Sequence, residues 1–412
     1  MRTPGPVRAF LLASLQSSFG NAIGYVALLL LAFDHFHSAW AVSLVLLADF
    51  LPAIALAPLF GAFADRVARR SLCVSADLLR CAACVGLSLA GSFAAILGLA
   101  LVVGAGTALY HPAAKSALAG LAAPHGDTAM GALVTVWSAA SVAGPALAAL
   151  LLLGLSPSAL LLVDAVTFLA SAVVLSRLPL DREEAAPPQH VEVHVAHGVR
   201  AGVRAARAVD GLSAVVGTGV AATLAFSLMN VAEPLLATEE LEAGGVGFAV
   251  LVCLFGVGST LGTLRGRADL AHLVWSLAGG GLLLCASALA QSLPVAAITF
   301  LGTGLFAGAA MSSDHQLVAR LAPAAIRGRV FGLKDSLDAI AFCTAFAGGG
   351  LLASLTDSRV VFGVSGGGAL LAAAVAAAAL RHTRARRAAT QRPARVRQTG
   401  RRARGARRPA GF

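Results

Sequence analysis

Gly61-Ala62-Phe63-Ala64-Asp65-Arg66-Val67-Ala68-Arg69-Arg70 is a charged turn between two long apolar runs. Trp40 to Phe60 precedes it with Asp49 as its only charge, and Ser71 to Leu89 follows with only Asp77 and Arg80. The turn is too charged to lie in hydrocarbon and too short to link two domains. It reads as a tight loop between two membrane spans. The rest of the chain repeats the arrangement, with apolar runs separated alternately by basic and nearly uncharged loops.

Composition agrees. Of 412 residues, 58% are hydrophobic and 12% charged, and the mean hydropathy is +0.82. A soluble domain carries roughly 25% charged residues, so this chain cannot cover itself with a polar surface and lipid must be its solvent. The net charge of +11 is a property of the tail. Twelve of the 31 basic residues lie from Arg381 onward, and the remaining 19 nearly balance the 20 acids. The tail, 381–412, is rich in Arg, Ala and Pro and is expected to be a disordered cytoplasmic anchor that attracts anionic lipid. No aromatic residues interleave its arginines, so no nucleic acid is expected. The six cysteines fall in or beside apolar runs. Cys81 and Cys84 form a lone C-x-x-C within a span, which is packing and not a zinc site.

Twelve spans are predicted, at about 10–33, 40–62, 71–90, 93–112, 130–153, 159–177, 212–237, 244–264, 270–289, 294–317, 329–353 and 360–380, each long enough to cross a core of about 30 Å as a helix. None alternates as a barrel strand would. With the N-terminus in the cytoplasm, the basic residues of every loop except Arg359 fall inside, from Arg66, Arg69 and Arg70 through Lys115 to Arg327 and Arg329. This is the positive-inside pattern, and it places both termini in the cytoplasm of a multi-pass cell-membrane protein. The connection 178–211 divides the spans into 1–177 and 212–380, six and six. His190, His194 and His197 within it have helical metal-ligand spacing, but a solvated amphipathic linker is the expectation and no metal is assigned. Gly104-Ala105-Gly106 recurs as Gly302-Thr303-Gly304 about 200 residues on. Two such halves would pack about an axis along the membrane normal, with a central cavity between them.

At this point the chain resembles a major facilitator superfamily transporter. Gly61, Asp65, Arg66, Arg69 and Arg70 complete the G-x-x-x-D-R-x-x-R-R motif of its loop between spans two and three. Leu46 to Pro52, Ala76 to Arg80, Tyr110 to Ala113, Leu162 to Phe168 and Arg327 to Leu333 are similar to a branch of macrolide efflux and siderophore (enterobactin) export proteins. The resemblance implies an all-α fold of 12 transmembrane helices in two six-helix halves. It also implies a latch in which the loop closes the cytoplasmic side with Asp77, Arg80 and Asp335 as further members. Asp65 would face a helix start near Val330 to Lys334, and Arg69 or Arg70 would pair with Asp77 or Asp335. Gly144-Pro145 in span five resembles the Gly-Pro motif of antiporters, with Ala148 and Ala149 where glycines are usual. Pro145 permits a helix bend there.

Ionisable and polar groups inside spans are functional candidates. Asp49 is nearest the middle of its run. Gln16 and Asn21 in span one, and Asn230 and Glu233 in span seven, could line the same cavity. Asp164, Asp314, His315 and Asp338 suit helix contacts or gates equally well. A cavity with few charges fits large, mostly apolar or weakly cationic molecules. It does not fit sugar phosphates. The reading is a secondary exporter of drug-like or siderophore-like small molecules, monomeric, proton-coupled and without a cofactor. An importer or metabolite carrier on the same fold is the alternative, and a non-transporting scaffold the alternative of another class. The sequence has no Walker loop, G-x-S-x-G or H-E-x-x-H in a suitable context, so neither an enzyme nor an ATP-driven pump is expected. Asp65→Asn is expected to lower transport per inserted molecule more than it lowers insertion; equal loss of both would remove the latch.

Overall fold

The computed structural model describes residues 5–55, 67–122, 126–180, 202–209 and 211–378. Gly61, Asp65, Arg66, the three histidines of the long connection and the basic tail lie outside them. Every regular element among the described residues is helical. The helices are α1 (Gly5–Phe36), α2 (Ala39–Ala55), α3 (Arg69–Leu89), α4 (Phe93–Leu121), α5 (Gly126–Leu151), α6 (Pro157–Ser176), α7 (Leu212–Leu235), α8 (Gly244–Thr263), α9 (Leu270–Ala288), α10 (Leu293–Leu321) and α11 (Ala324–Leu355), followed by α12 (Ser358–Ala378). Eleven of them are long and apolar enough to cross a membrane, and α2 is a shorter apolar helix over Ala39–Pro52. The chain is a multi-pass membrane protein. Leu89, Leu264 and Trp275 are 75–81% exposed on its flanks, which hydrocarbon accommodates and water would not.

Local sequence sets the helix ends. Ser92 caps α4 by accepting from the Ala95 N–H, Ser156 caps α6 from Ala159 with Pro157 at the first helical position, and Asp269 caps α9 from Ala271. Several helices overrun the predicted spans. α10 continues past Asp314 and His315 to Leu321, and α11 begins at Ala324, so Val330 to Lys334 lie in the body of α11 and not at its start. The helix start expected at Val330 to Lys334 therefore lies at Ala324, and the contact of Asp65 with it falls outside the described residues.

Packing follows the small residues. α1 packs on α5 and α6, α2 on α4, and α3 on α4 and α6. Among the later helices α7 packs on α11, α8 on α10 and α9 on α10. α12 reaches α7 through a hydrogen bond from Ser365 Oγ to the Ala225 carbonyl. Each repeat places one of its two glycines at a close helix crossing, the first in Gly104-Ala105-Gly106 and the last in Gly302-Thr303-Gly304. A Cβ on Gly104 would lie 2.0 Å from the Asp49 carbonyl of α2, and one on Gly304 would lie 2.1 Å from the Phe255 carbonyl of α8. Both positions let two backbones touch. Gly106 makes room for the Arg80 stem on α3, as Gly302 does for Leu283 on α9.

Contacts between the first six and last six helices run mainly along α2–α11 and α5–α8. At the α1–α2 end of the molecule one apolar core joins all of them, including Leu30, Leu46, Phe168, Phe248, Phe300 and Phe346. At the opposite end, where α2 leads toward α3, the core is split. One cluster holds Phe10, Leu72, Tyr110 and Leu133, and another holds Leu212, Leu273, Val318 and Val330. Among the described residues the apolar core is continuous at one end, the sealed end, and divided in two at the other, the parted end. Gly304→Val is expected to force α8 and α10 apart at a cost of about 1–3 kcal/mol. This would be read as a lower thermal midpoint in detergent, whereas Gly363→Ala, where an added methyl meets open space, should leave the midpoint in place.

Candidate transport cavity

A cavity of about 720 Å³ opens among α1 to α6, with Val252 of α8 on its wall. It runs from Leu28 and Leu87 beside the sealed core to His111, Pro112 and Lys115 toward the parted end. The volume is that of a drug-sized site.

Two of the five residues predicted to line it do so. Asn21 and Asp49 are on the wall. Asp49 is held where α2 crosses Gly104, and no hydrogen bond or ion pair engages its carboxylate among the described residues. Gln16, Asn230 and Glu233 are not among the lining residues. Gln16 donates instead to the Thr167 carbonyl of α6. Five residues separate it from Asn21, which turns the two about 140° apart on a regular helix. The two therefore do not share a face, and the expectation that Gln16 lines the cavity with Asn21 is corrected. Glu233 is 3% exposed, packed beneath the sealed end beside Pro234 and the π-helical turn Leu236–Glu240. Tyr25, on the cavity wall, lies within electrostatic reach of both Glu233 and Asp49. Pro145 is on the wall too, inside an unbroken α5, and Gly144 before it lets α5 approach Ala22 of α1.

Asp164 forms the back of the cavity. Gly20 and Gly24 on α1 leave the space its carboxylate fills, and it accepts from Cys84 Sγ at 3.6 Å and Thr167 Oγ1 at 3.3 Å. Near the parted end the His111 ring stacks on Trp137, with centroids 4.7 Å apart, and Lys115 Nζ lies 5.6 Å from the Trp137 centroid. The sequence reading missed this cationic and aromatic lip. Its one available signal was that Lys115 is one of only two lysines in a chain otherwise supplied with arginine.

The predicted partners of the charged turn behave differently. Asp77 is 0% exposed and forms an ion pair with Arg80 one turn along α3. The guanidinium is sandwiched 4.5 Å from the Tyr110 ring and 4.2 Å from the Phe168 ring, an arrangement suited to a weakly hydrated cation. This pair ties α3 to α4 and α6. The ion pair that Asp77 makes is thus with Arg80 of its own helix. Asp335 is exposed on α11.

The sealed end is closed by α2 against α11. Ser43 Oγ donates to the Phe346 carbonyl at 2.5 Å, Phe50 stacks on Phe342, and Gly350 admits Ser43 and Trp40. Gly350→Leu should wedge these helices apart. In a cysteine-free background carrying Ser43→Cys, it is expected to raise labelling by a membrane-impermeant maleimide at least about tenfold, because Ser43 is fully buried and a buried thiol is inert.

Residues 10–268 match the Major Facilitator Superfamily. The chain is 27% identical over 373 residues to an uncharacterized MFS-type transporter, YfiS, of Bacillus subtilis (strain 168), covering 85% of this chain and 87% of that protein. It is 26% identical over 364 residues to the multidrug efflux pump Tap of Mycolicibacterium fortuitum, covering 81% and 85%. Among solved structures, the nucleoside transporter NupG superposes with a TM-score of 0.75 at 12% identity, over 92% of this chain and 99% of NupG, a likeness of fold. The match covers well over half of the chain, and this protein belongs to the Major Facilitator Superfamily, whose fold carries out secondary transport and not enzymatic catalysis.

Proposed function

We propose that the protein exports drug-like or siderophore-like small molecules across the cell membrane in exchange for protons, by alternating access of one cavity. Twelve spans form two six-helix halves, 1–177 and 212–380, joined by a cytoplasmic linker at 178–211, and both termini are cytoplasmic. α2 then counts as a full span. The observation that carries this reading is the pairing of one continuous core at the α1–α2 end with two separate cores at the other, together with a cavity that leads to the parted end. With both termini cytoplasmic, this arrangement supports reading the state as inward-open. The symmetric seams α2–α11 and α5–α8 are where the halves would rock.

The cavity favours a bulky molecule carrying a positive charge. Its wall is mostly apolar, and Asp49 offers a carboxylate that no described side chain occupies. Asp49 is the contact for cargo or coupling proton. The similarity to a multidrug efflux pump supports export over import. The charged turn 61–70, Asp335 and the linker would close the cytoplasmic side in the opposite state.

The test is directional transport in everted membrane vesicles, with ethidium as a fluorescent organic cation. Accumulation that needs an imposed pH gradient and is absent from vesicles lacking the protein is the expected result; efflux from the vesicles would make it an importer. Asp49→Asn is expected to weaken apparent affinity for ethidium about ten- to a hundredfold, the loss of one charge-assisted contact of about 1.5–3 kcal/mol, without reducing the amount of folded protein.

A further inference from the structure

A second acidic cluster lies apart from the cavity. On α11, Lys334 Nζ donates to Asp338 Oδ2 at 2.5 Å and lies 3.0 Å from Asp314 Oδ2 on α10. Thr223 Oγ1 on α7 donates to Asp338 Oδ1 at 3.0 Å. Gly219 on α7 leaves the space that the Asp314 carboxylate fills. The Lys334 ammonium therefore joins α10 to α11, and α7 reaches the cluster through Asp338. The Lys334 and Asp314 side chains are 2% and 4% exposed, whereas Asp338 is 17% exposed. Asp314 Oδ1 is buried and accepts no hydrogen bond from the described residues.

The arithmetic of charge is the argument. Two carboxylates and one ammonium sum to a net charge of −1, buried among Leu317, Val330 and Leu333. Isolated charge in such surroundings is costly, and groups there neutralise when they can. One proton makes the cluster neutral. The open Oδ1 of Asp314 has a free acceptor site for it, and Asp338 is the partly exposed member of the cluster. Lysine suits this role better than arginine, because a single flexible ammonium can leave one carboxylate for the other, whereas a guanidinium fork holds its partner in fixed geometry. The chain has only one lysine besides Lys115, and it stands here.

We infer that Asp314, Lys334 and Asp338 form the site that carries the coupling proton, spatially separate from the cargo contact at Asp49. This deepens the exchange mechanism proposed above and rests on it. In the state described here Lys334 holds both aspartates, which is the deprotonated arrangement. Protonation forms an O–H bond on one aspartate and releases Lys334 from it, and the reverse step returns the proton to water. The charge balances with the solvent proton as the only co-reactant. The neighbouring ionisable groups are few. His315 on α10 is within electrostatic reach of Asp314 and has Nδ1 on the Met311 carbonyl and its ring against Phe331. His272 on α9 contacts Ser313. Arg204 and Arg207 lie on the short helix 202–207 packed by Gly202 against Leu333. α7 brings only Thr223 toward the cluster, since its one acid, Glu233, is three turns away toward the sealed end.

Two measurements on the full chain test this. In infrared difference spectra of purified protein between about pH 5 and pH 8, the carboxylic-acid C=O signal should lose intensity in D314N and D338N, shift in K334M, and survive in D49N. Spectra of the three cluster variants that superimpose on wild type would overturn the inference. In everted vesicles, pH-driven ethidium accumulation by D338N should fall at least about tenfold, within the usual range of coupling between sites. De-energised ethidium exchange should persist, and D338E should restore driving. Retained driving, or an equal loss of accumulation and exchange in D338N with normal gel-filtration behaviour, would overturn it as well. If wild type moves no ethidium, the export reading fails by itself, and the infrared spectra still decide the proton site.

Discussion

The contact on which the rest depends is backbone against backbone, Gly104 on the Asp49 carbonyl and Gly304 on the Phe255 carbonyl. In hydrocarbon, apolar side chains gain nothing by leaving lipid for one another, so helices associate through close packing. Glycine gives the closest approach. Once α2 is fixed on α4, and α8 on α10, the long seams α2–α11 and α5–α8 are presented to each other. The cavity is what remains between helices that cannot touch along their whole length. Asp49 owes its place on the wall to the same crossing, since the residue whose carbonyl meets Gly104 also carries the carboxylate.

The buried charges divide into two kinds. Asp77 and Arg80 are neighbours on one helix, sandwiched by two aromatic rings, and sum to zero. They are a structural pin. Lys334, Asp314 and Asp338 come from two helices and do not sum to zero. Low dielectric surroundings tolerate the first and leave the second dependent on its protonation.

The spans were readable from the sequence because lipid enforces long apolar runs, and the internal repeat was readable because small residues recur where helices cross closely. The helix ends were less so. α10 carries Asp314 and His315 well before its end, because Lys334 compensates the acid, and no reading of one segment reveals a partner on the next helix. Asp49 could be found because it stands alone in its run. The Asp77–Arg80 pair was missed although a spacing of three by itself predicts a pair on one helix face. Gln16 was misjudged because five residues do not return to the same face, and Glu233 because burial beneath a π-helical turn is a tertiary outcome.

Arg359 was the one basic residue at variance with the loop-charge pattern, and its bonds account for it. The guanidinium holds Glu240 at the end of the α7 extension at 2.9 Å and reaches the Ala288 and Ala290 carbonyls at the end of α9, while Ser358 lies 3.5 Å from the same glutamate. The start of α12, the end of α9 and the turn after α7 are thereby braced as a truss. A truss does not shear internally. In the proposed exchange cycle these three segments, all of the second half, would move together when this end opens, and the α2–α11 seam is where they would part from the first half.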